Sequence, residues 1–261
     1  DADYSFIGGG CNNIICSNCS VIVGGNNHCI NTTLHKNFIG GGEANDILGT
    51  KGCHTIGGGS TNIINTTGNK DTIAGGGGNC ITCNVENSTI AGGAANKICR
   101  TSGTDYGSFI GGGAFNCIIS ADTSTIAGGC CNCITSADAA IVGGLRNCIT
   151  SNCSFIGGGL SNSGSGCFGV IGGGCSNSIT STACRAGILG GCNNTVNGHD
   201  DSFIIGRGIT TTAANTTYMN NATVCRHLQV GGLTTLNTTA GRIDATNDVV
   251  AFSTSDERLK E

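Results

Sequence analysis

The feature that most constrains this chain is a short pattern, S-x-I-x-G-G-x-x-N-x-I, which recurs in twelve copies, several of them with a substitution. Its second glycine recurs every 15 to 17 residues, with one interval of 20. A fixed period in this range is typical of a solenoid, in which each repeat stacks on its neighbours. Each of the paired glycines would cost roughly 1 kcal/mol relative to alanine inside a helix, so the pattern favours two short strands per repeat.

Two apolar positions in each repeat predict the core. Three residues before the second glycine, every copy has isoleucine: Ile7, Ile22, Ile39, Ile56, Ile73, Ile90, Ile110, Ile126, Ile141, Ile156, Ile171 and Ile188. Five residues after that glycine, ten copies have isoleucine, and Val196 and Gly164 are the exceptions. If each repeat is one turn of the solenoid, here called a coil, coils stack about 4.8 Å apart and twelve of them make a rod of about 55 to 60 Å.

The expected fold class is therefore all-β, a repetitive β-solenoid or β-roll in which two isoleucine columns face each other. Two isoleucines per coil bury little apolar area, which favours close association with partner chains. Glycine along one edge would let three rolls meet, so we expect an intertwined or side-by-side parallel homotrimer. We expect the shaft to span residues 1–206, including one degenerate repeat, and a β-rich neck to span 207–250.

The asparagine and the glycine pair each admit two interpretations. Asparagine lies three residues after the second glycine in eleven copies, with His28 as the exception. We favour a structural ladder of amides that hydrogen-bond from coil to coil, over a ligand-binding row, because no carboxylate or aromatic residue recurs in register with it. The glycines would serve either a turn with positive φ or a close approach of another backbone.

The 19 cysteines are an odd number, so at least one is free or bonded to another chain. Their spacing predicts columns in which neighbouring coils bring cysteines within disulfide range. The disulfide candidates are Cys11, Cys29, Cys80, Cys117, Cys130, Cys133, Cys148, Cys175 and Cys192. Unpaired cysteines that act as apolar side chains are one alternative. Metal binding is the other, suggested by "CSNC", "CITC" and "CCNC", but no histidine has ligand spacing to these motifs. We therefore favour disulfides within or between chains in an oxidising setting, and expect no metal and no cofactor.

Several function classes are disfavoured by composition. A net charge of −4 without a basic stripe argues against nucleic acid as a partner. No apolar run is long enough to insert into a membrane as a helix. An enzyme would need a polar constellation, and no Ser/His/Asp or paired-carboxylate arrangement recurs. An ice-binding solenoid would need a flat threonine array, but the position four before the second glycine varies among Thr, Phe, Val, Ala and Gly.

The last residues carry a resemblance. The motif "STSDERLK" near the end of the chain resembles the junction, in tail fibres and tailspikes of phages and large viruses, where a C-terminal intramolecular chaperone that is also a self-cleaving peptidase begins. The repeats are similar to trimeric fibre shafts and to heads of trimeric autotransporter adhesins. The resemblance implies that residues 251–261 start this junction in a longer precursor. It also implies that Ser255 is the nucleophile of a single self-cleavage and that Lys260 assists it.

The function expected from these observations is a disulfide-stabilised fibre shaft, structural rather than enzymatic, on a virion surface or otherwise extracellular. It would support host attachment, with a host surface receptor or glycan as its external partner and copies of itself as the internal one. A cell-surface trimeric adhesin of a bacterium is the alternative, and a solenoid enzyme or ice-binding protein is a weaker one.

Overall fold

The computed structural model describes residues 2–220, which lie in one compact unit. They form a parallel β-solenoid of about twelve coils. Twelve coils contribute one strand to each of two sheets, and two further strands extend one of these sheets at its C-terminal end. Every described strand pairing is parallel and joins neighbouring coils. This part of the chain contains no helix long and apolar enough to cross a bilayer.

Sheet 1 has fourteen strands. They are β1 (Phe6–Ile7), β3 (Val21–Ile22), β5 (Phe38–Ile39), β7 (Thr55–Ile56), β9 (Thr72–Ile73), β11 (Thr89–Ile90), β13 (Phe109–Ile110), β15 (Thr125–Ile126), β17 (Ala140–Ile141), β19 (Phe155–Ile156), β21 (Val170–Ile171), β23 (Gly187–Ile188), β25 (Phe203–Ile205) and β26 (Thr217–Met219).

Sheet 2 has twelve strands. They are β2 (Ile14–Ile15), β4 (Cys29–Thr32), β6 (Asp46–Gly49), β8 (Ile63–Thr66), β10 (Cys80–Glu86), β12 (Lys97–Tyr106), β14 (Cys117–Ile119), β16 (Cys133–Ile134), β18 (Cys148–Ile149), β20 (Ser163–Gly164), β22 (Ser178–Ile179) and β24 (Thr195–Val196).

The core consists of the two predicted isoleucine columns, which lie between the sheets. The isoleucines of sheet 1 pair in register, as in Ile22 with Ile39, and eleven of the twelve predicted ones are fully buried. Ile7 departs from the prediction, because it is 42% exposed. Its strand β1 pairs with only one described neighbour, β3, so a single coil covers it.

Parallel pairing extends beyond the predicted end of the shaft at residue 206. Strand β26 lies in the predicted neck and pairs with β25 through Ile204 and Tyr218. A further bridge joins Thr195 to Thr210. The rest of the predicted neck, and the junction at 251–261, lie outside the described residues.

Candidate functional site

Each coil turns from sheet 1 to sheet 2 through the glycine pair and the asparagine, and this edge is here called the glycine edge. Asn147 illustrates its bonding. Its Nδ2 donates to the carbonyl of Gly143 in its own coil at 2.9 Å and to that of Gly159 in the next coil at 3.0 Å. Its Oδ1 accepts from the backbone N–H of Asn162 at 3.0 Å. The amide therefore joins two coils and directs its hydrogen bonds inward.

The same pattern recurs along the glycine edge, as at Asn45, Asn62, Asn79, Asn96, Asn116, Asn132, Asn162 and Asn177. These side chains are buried and their hydrogen bonds are used within the chain. The structural ladder is thus the interpretation that the geometry favours over a ligand-binding row. At the exception, the Nδ1 of His28 accepts from the backbone N–H of Asn45 at 3.0 Å, but Nε2 is buried without a partner among the described residues.

The second glycine of each pair meets both predicted requirements at once. Gly144 has a φ of +89°, a region that L side chains rarely adopt. A Cβ on Gly144 would also stand 2.2 Å from the carbonyl oxygen of Gly159 in the next coil. Turn geometry and close backbone approach therefore act on the same residue, which explains why no other residue type occurs there.

The opposite edge of each coil, where sheet 2 returns to sheet 1, is here called the loop edge. It carries a second polar ladder, which the sequence analysis did not identify. Asn37 N donates to Ser20 Oγ at 3.2 Å, and His54 N donates to Asn37 Oδ1 at 3.1 Å. Asp71 N donates to His54 Nδ1 at 3.3 Å, and Ser88 N donates to Asp71 Oδ1 at 3.0 Å. The recurrent serine that opens the repeat was the available signal for this ladder.

His54 and Asp71 form the only titratable pair among these ladder positions in the part of the chain that the structure describes. His54 Nδ1 lies 3.5 Å from Asp71 Oδ2, and both side chains are fully buried. Burial lowers the pKa of His54 to about 4. The imidazole is therefore neutral near pH 7, which leaves Nδ1 free to accept the backbone hydrogen bond.

The cysteines four residues after the second glycine form the predicted column on sheet 2. Strand pairing places Cys117 opposite Cys133 and Cys133 opposite Cys148. The hydrogen bond that Cys133 donates lowers the pKa of Cys117, whereas the bond that Cys148 makes to Cys133 raises the pKa of Cys148. Three neighbouring coils thus carry interacting thiols with different acidities.

Cys175 and Cys192 also pair across neighbouring coils, as predicted. Their interaction raises the pKa of Cys175. The other candidates have different neighbours, because Cys11 pairs with Asn26, Cys29 with Ile14 and Asp46, Cys80 with Ile63 and Lys97, and Cys130 with Ala114 and Leu145.

Two close thiol contacts lie outside the predicted columns. The Sγ atoms of Cys83 and Cys99 are 3.0 Å apart across β10 and β12. Those of Cys130 and Cys131, which are adjacent in sequence, are 3.1 Å apart. The first pair was missed because its cysteines lie at different offsets from their glycine pairs.

The structure describes all but one of the 19 cysteines, and each of these carries a free thiol. The disulfides therefore remain a prediction. Within residues 2–220, no group of three or more His, Cys, Asp or Glu side chains is arranged to hold a metal ion. The predicted nucleophile Ser255 and its assistant Lys260 lie outside the described residues.

Comparison with known proteins does not assign the chain to a family. No family model matches the chain, and no curated protein matches it.

Proposed function

We propose that this chain is the shaft of a parallel homotrimeric fibre on the outside of a virus or cell, where it holds an attachment element away from the surface. The observation that carries the proposal is the first glycine in several of the pairs. At Gly75, Gly92, Gly128 and Gly143, φ is not positive and a Cβ would meet nothing within 4 Å. This chain alone thus gives no steric reason for glycine there, whereas the close approach of another chain's backbone would give one.

The outer face of sheet 1, beside the glycine edge, supports the same proposal. Its two outward columns lie on either side of the buried isoleucines, and none of their residues is charged. One column exposes Phe6, Phe38, Phe109, Phe155, Val170 and Phe203, and the other exposes Val23, Val142, Leu189 and Ile205. Threonines such as Thr55, Thr72 and Thr89 lie between these apolar residues. An uncharged stripe with many exposed apolar side chains is typical of a surface that binds a partner. A parallel copy presents the same stripe with the same repeat.

The oligomeric state is tested by native mass measurement with and without reductant. We expect three times 25.9 kDa, with part of the trimer crosslinked when no reductant is present. Gly128→Val should weaken the trimer, since its Cβ meets open space within the chain and would displace only a partner. Thr135→Leu adds bulk in the same coil, on the exposed side of sheet 2, and is the matched control. A β-structured monomer for the parent chain would disprove the proposal.

We also propose, from the resemblance of "STSDERLK", that a longer product continues into a chaperone domain that is released by cleavage between Thr254 and Ser255. Near-identical repeats pair out of register at little energetic cost, so help in aligning three chains is physically useful. The test compares a longer product with its Ser255→Ala variant. The parent should give two fragments and the variant one band, and identical band patterns would exclude self-cleavage at this serine.

A further inference from the structure

The length of the loop edge differs between coils. Seven residues, 31–37, separate Ile30 from Phe38, whereas five residues, 150–154, separate Ile149 from Phe155. The same seven-residue loops follow Ile47 and Ile64. A fourth seven-residue loop, 82–88, follows Ile81, so the extra residues of consecutive coils stack and make a raised surface on this edge.

A cleft of about 260 Å³ lies in this raised surface and spans three coils. Leu34 contributes an apolar wall and is 48% exposed. Gly52 forms part of the lining, and a Cβ there would stand 2.1 Å from the backbone oxygen of His35. The volume lies just below the range of about 300–1,000 Å³ that is typical of small-molecule pockets, so one sugar-sized group is the appropriate occupant.

Lysines surround this cleft without acidic partners. Lys36 and Lys70 line it from coils that lie about 9.6 Å apart, and Lys51 lies on the coil between them. None of the three forms an ion pair with any residue from 2 to 220. The chain has an overall charge of −4, so this is a local concentration of positive charge on an acidic protein.

The acidic residues of these coils do not neutralise the lysines. Asp71 is fully buried and faces His54. Glu43 lies on the glycine edge, opposite the loop edge, and Asp46 lies at the start of β6, away from the loop. Glu86 belongs to the next coil and does not line the cleft. The cleft therefore presents uncompensated cations to solvent.

A hydrogen-bond acceptor accompanies the cations. Asn69 lines the cleft, and its Oδ1 is buried with no hydrogen-bond partner within the described part of the chain. A buried acceptor without a partner is unfavourable, and a hydroxyl donor would satisfy it. Cations, an apolar wall and an acceptor together fit a ligand that has an acid group, a ring with a nonpolar face and hydroxyl groups.

We propose that this cleft binds an anionic glycan through one sugar that bears a carboxylate or a sulfate. Lys36 and Lys70 pair with the acid group, Leu34 packs against the ring and Asn69 accepts from a hydroxyl. The cleft lies on the edge of the coil opposite the glycine edge, so it stays accessible if three chains associate there. The inference rests on the proposed attachment function, for which it supplies the chemistry of the receptor.

The test titrates the reduced full chain with four probes at low salt: 6′-sialyllactose, a heparin-derived disaccharide, lactose and sodium sulfate. We expect saturable binding of the first or the second, which distinguishes a carboxylate from a sulfate, and weakening of that binding as salt rises. Lys36→Gln with Lys70→Gln should weaken binding by about tenfold or more, because both charge-assisted contacts to the acid group are lost. Lys97→Gln with Arg146→Gln removes two exposed charges away from the cleft and should have no effect.

A second variant keeps the inference falsifiable if the lysine variant folds poorly. Leu34→Ser should weaken saccharide binding without changing its salt dependence, because it removes only the apolar wall. The proposal is overturned if neither anionic saccharide binds, if lactose or sulfate alone binds as tightly as they do, or if the cleft and control variants behave alike. Native mass measurement decides the trimer separately, so a failed titration with an intact trimer rejects only the glycan site.

Discussion

The Oδ1 atom of Asn147 accepts a hydrogen bond of 3.0 Å from the backbone N–H of Asn162, one coil further along the solenoid. This side chain replaces a backbone acceptor at the place where the chain turns from sheet 1 to sheet 2. Asn147 also donates to the carbonyl of Gly143, so it satisfies two backbone groups that the turn would otherwise leave buried and unpaired. Its second donated bond goes to the carbonyl of Gly159, which also accepts from the backbone N–H of Leu145.

Replacing Asn147 with alanine should therefore destabilise the solenoid by about 2 kcal/mol or more, since each of the two buried backbone groups left unpaired costs about 1–3 kcal/mol. Denaturant unfolding followed by circular dichroism measures the change. Asn31→Ala is the control, because Asn31 is exposed in β4. Equal stability of the two variants would mean that the ladder does not contribute.

The isoleucine columns should dominate stability over neighbouring surface residues. Ile141 is fully buried in β17, whereas the next residue, Val142, is 51% exposed. Ile141→Ala should cost about 2 to 5 kcal/mol per chain because it leaves a cavity that neighbouring coils cannot fill. Val142→Ala should cost much less in a single chain. Melting of Ile141→Ala together with the parent would contradict a two-column core.

The isoleucine columns and the glycine edge could be predicted because one residue type meets each requirement there. At Gly144, both φ and the neighbouring backbone exclude side chains, so the sequence is invariant. The loop edge is different, because any side chain with an acceptor serves its ladder. Ser20, Asn37 and His54 all accept the same backbone bond, so the residue type varies and the ladder was not recognised.

The cleft could not be predicted, for a related reason. Lys36 and Lys70 both have positive φ, of 70° and 60°, in the turn that aligns them along the loop edge. Cys53 occupies the same turn position between them with a φ of 63°. Because non-glycine residues with no special turn preference adopt this conformation here, the sequence gives no local signal that places the lysines together.

The cysteine column should titrate unevenly in the reduced protein. Hydrogen bonding with Cys133 lowers the pKa of Cys117 and raises that of Cys148, and both side chains are half-buried to a similar degree. Thiolate is the reactive form, so Cys117 should be alkylated at lower pH than Cys148. Mass mapping of iodoacetamide labelling between pH 7 and 10 measures the order. Cys133→Ser should bring the two rates closer, and equal rates in the parent would contradict the column geometry.

Gly164 marks a position where the chain can be stabilised. It replaces the second isoleucine of its coil, and a Cβ there would lie 3.6 Å from Ile149 and 3.8 Å from Ile156, which is ordinary contact. Its φ is not positive, so alanine fits the backbone. Gly164→Ala should stabilise the protein by about 0.4–1 kcal/mol through the entropy of the unfolded chain. Gly144→Ala, where φ is +89°, should destabilise the protein. A loss of stability in both variants would show that the core has no room for a methyl group at position 164.

His54 should make stability depend on pH in the acidic range. Its pKa is lowered by burial from 6.5 to about 4 in the folded chain, although the carboxylate of Asp71 lies 3.5 Å away. Below pH 6.5 the unfolded chain thus binds a proton that the folded chain does not. The contribution of neutral His54 is fully present above pH 6.5 and is lost as the pH falls towards 4, by about 3 kcal/mol per chain.

The matched variant is His54→Asn, because Asn37 already fills the preceding position of the same ladder and accepts the equivalent backbone bond. Urea unfolding at intervals from pH 7.5 to 4 should show the parent losing more stability than His54→Asn, with the difference developing below pH 6.5. His35→Asn changes an exposed histidine on the same edge and should follow the parent. A buried, neutral His54 is what makes the free energy of unfolding of the parent depend on pH in this range. Parallel curves for the parent and His54→Asn would therefore show that His54 is not buried in its neutral form.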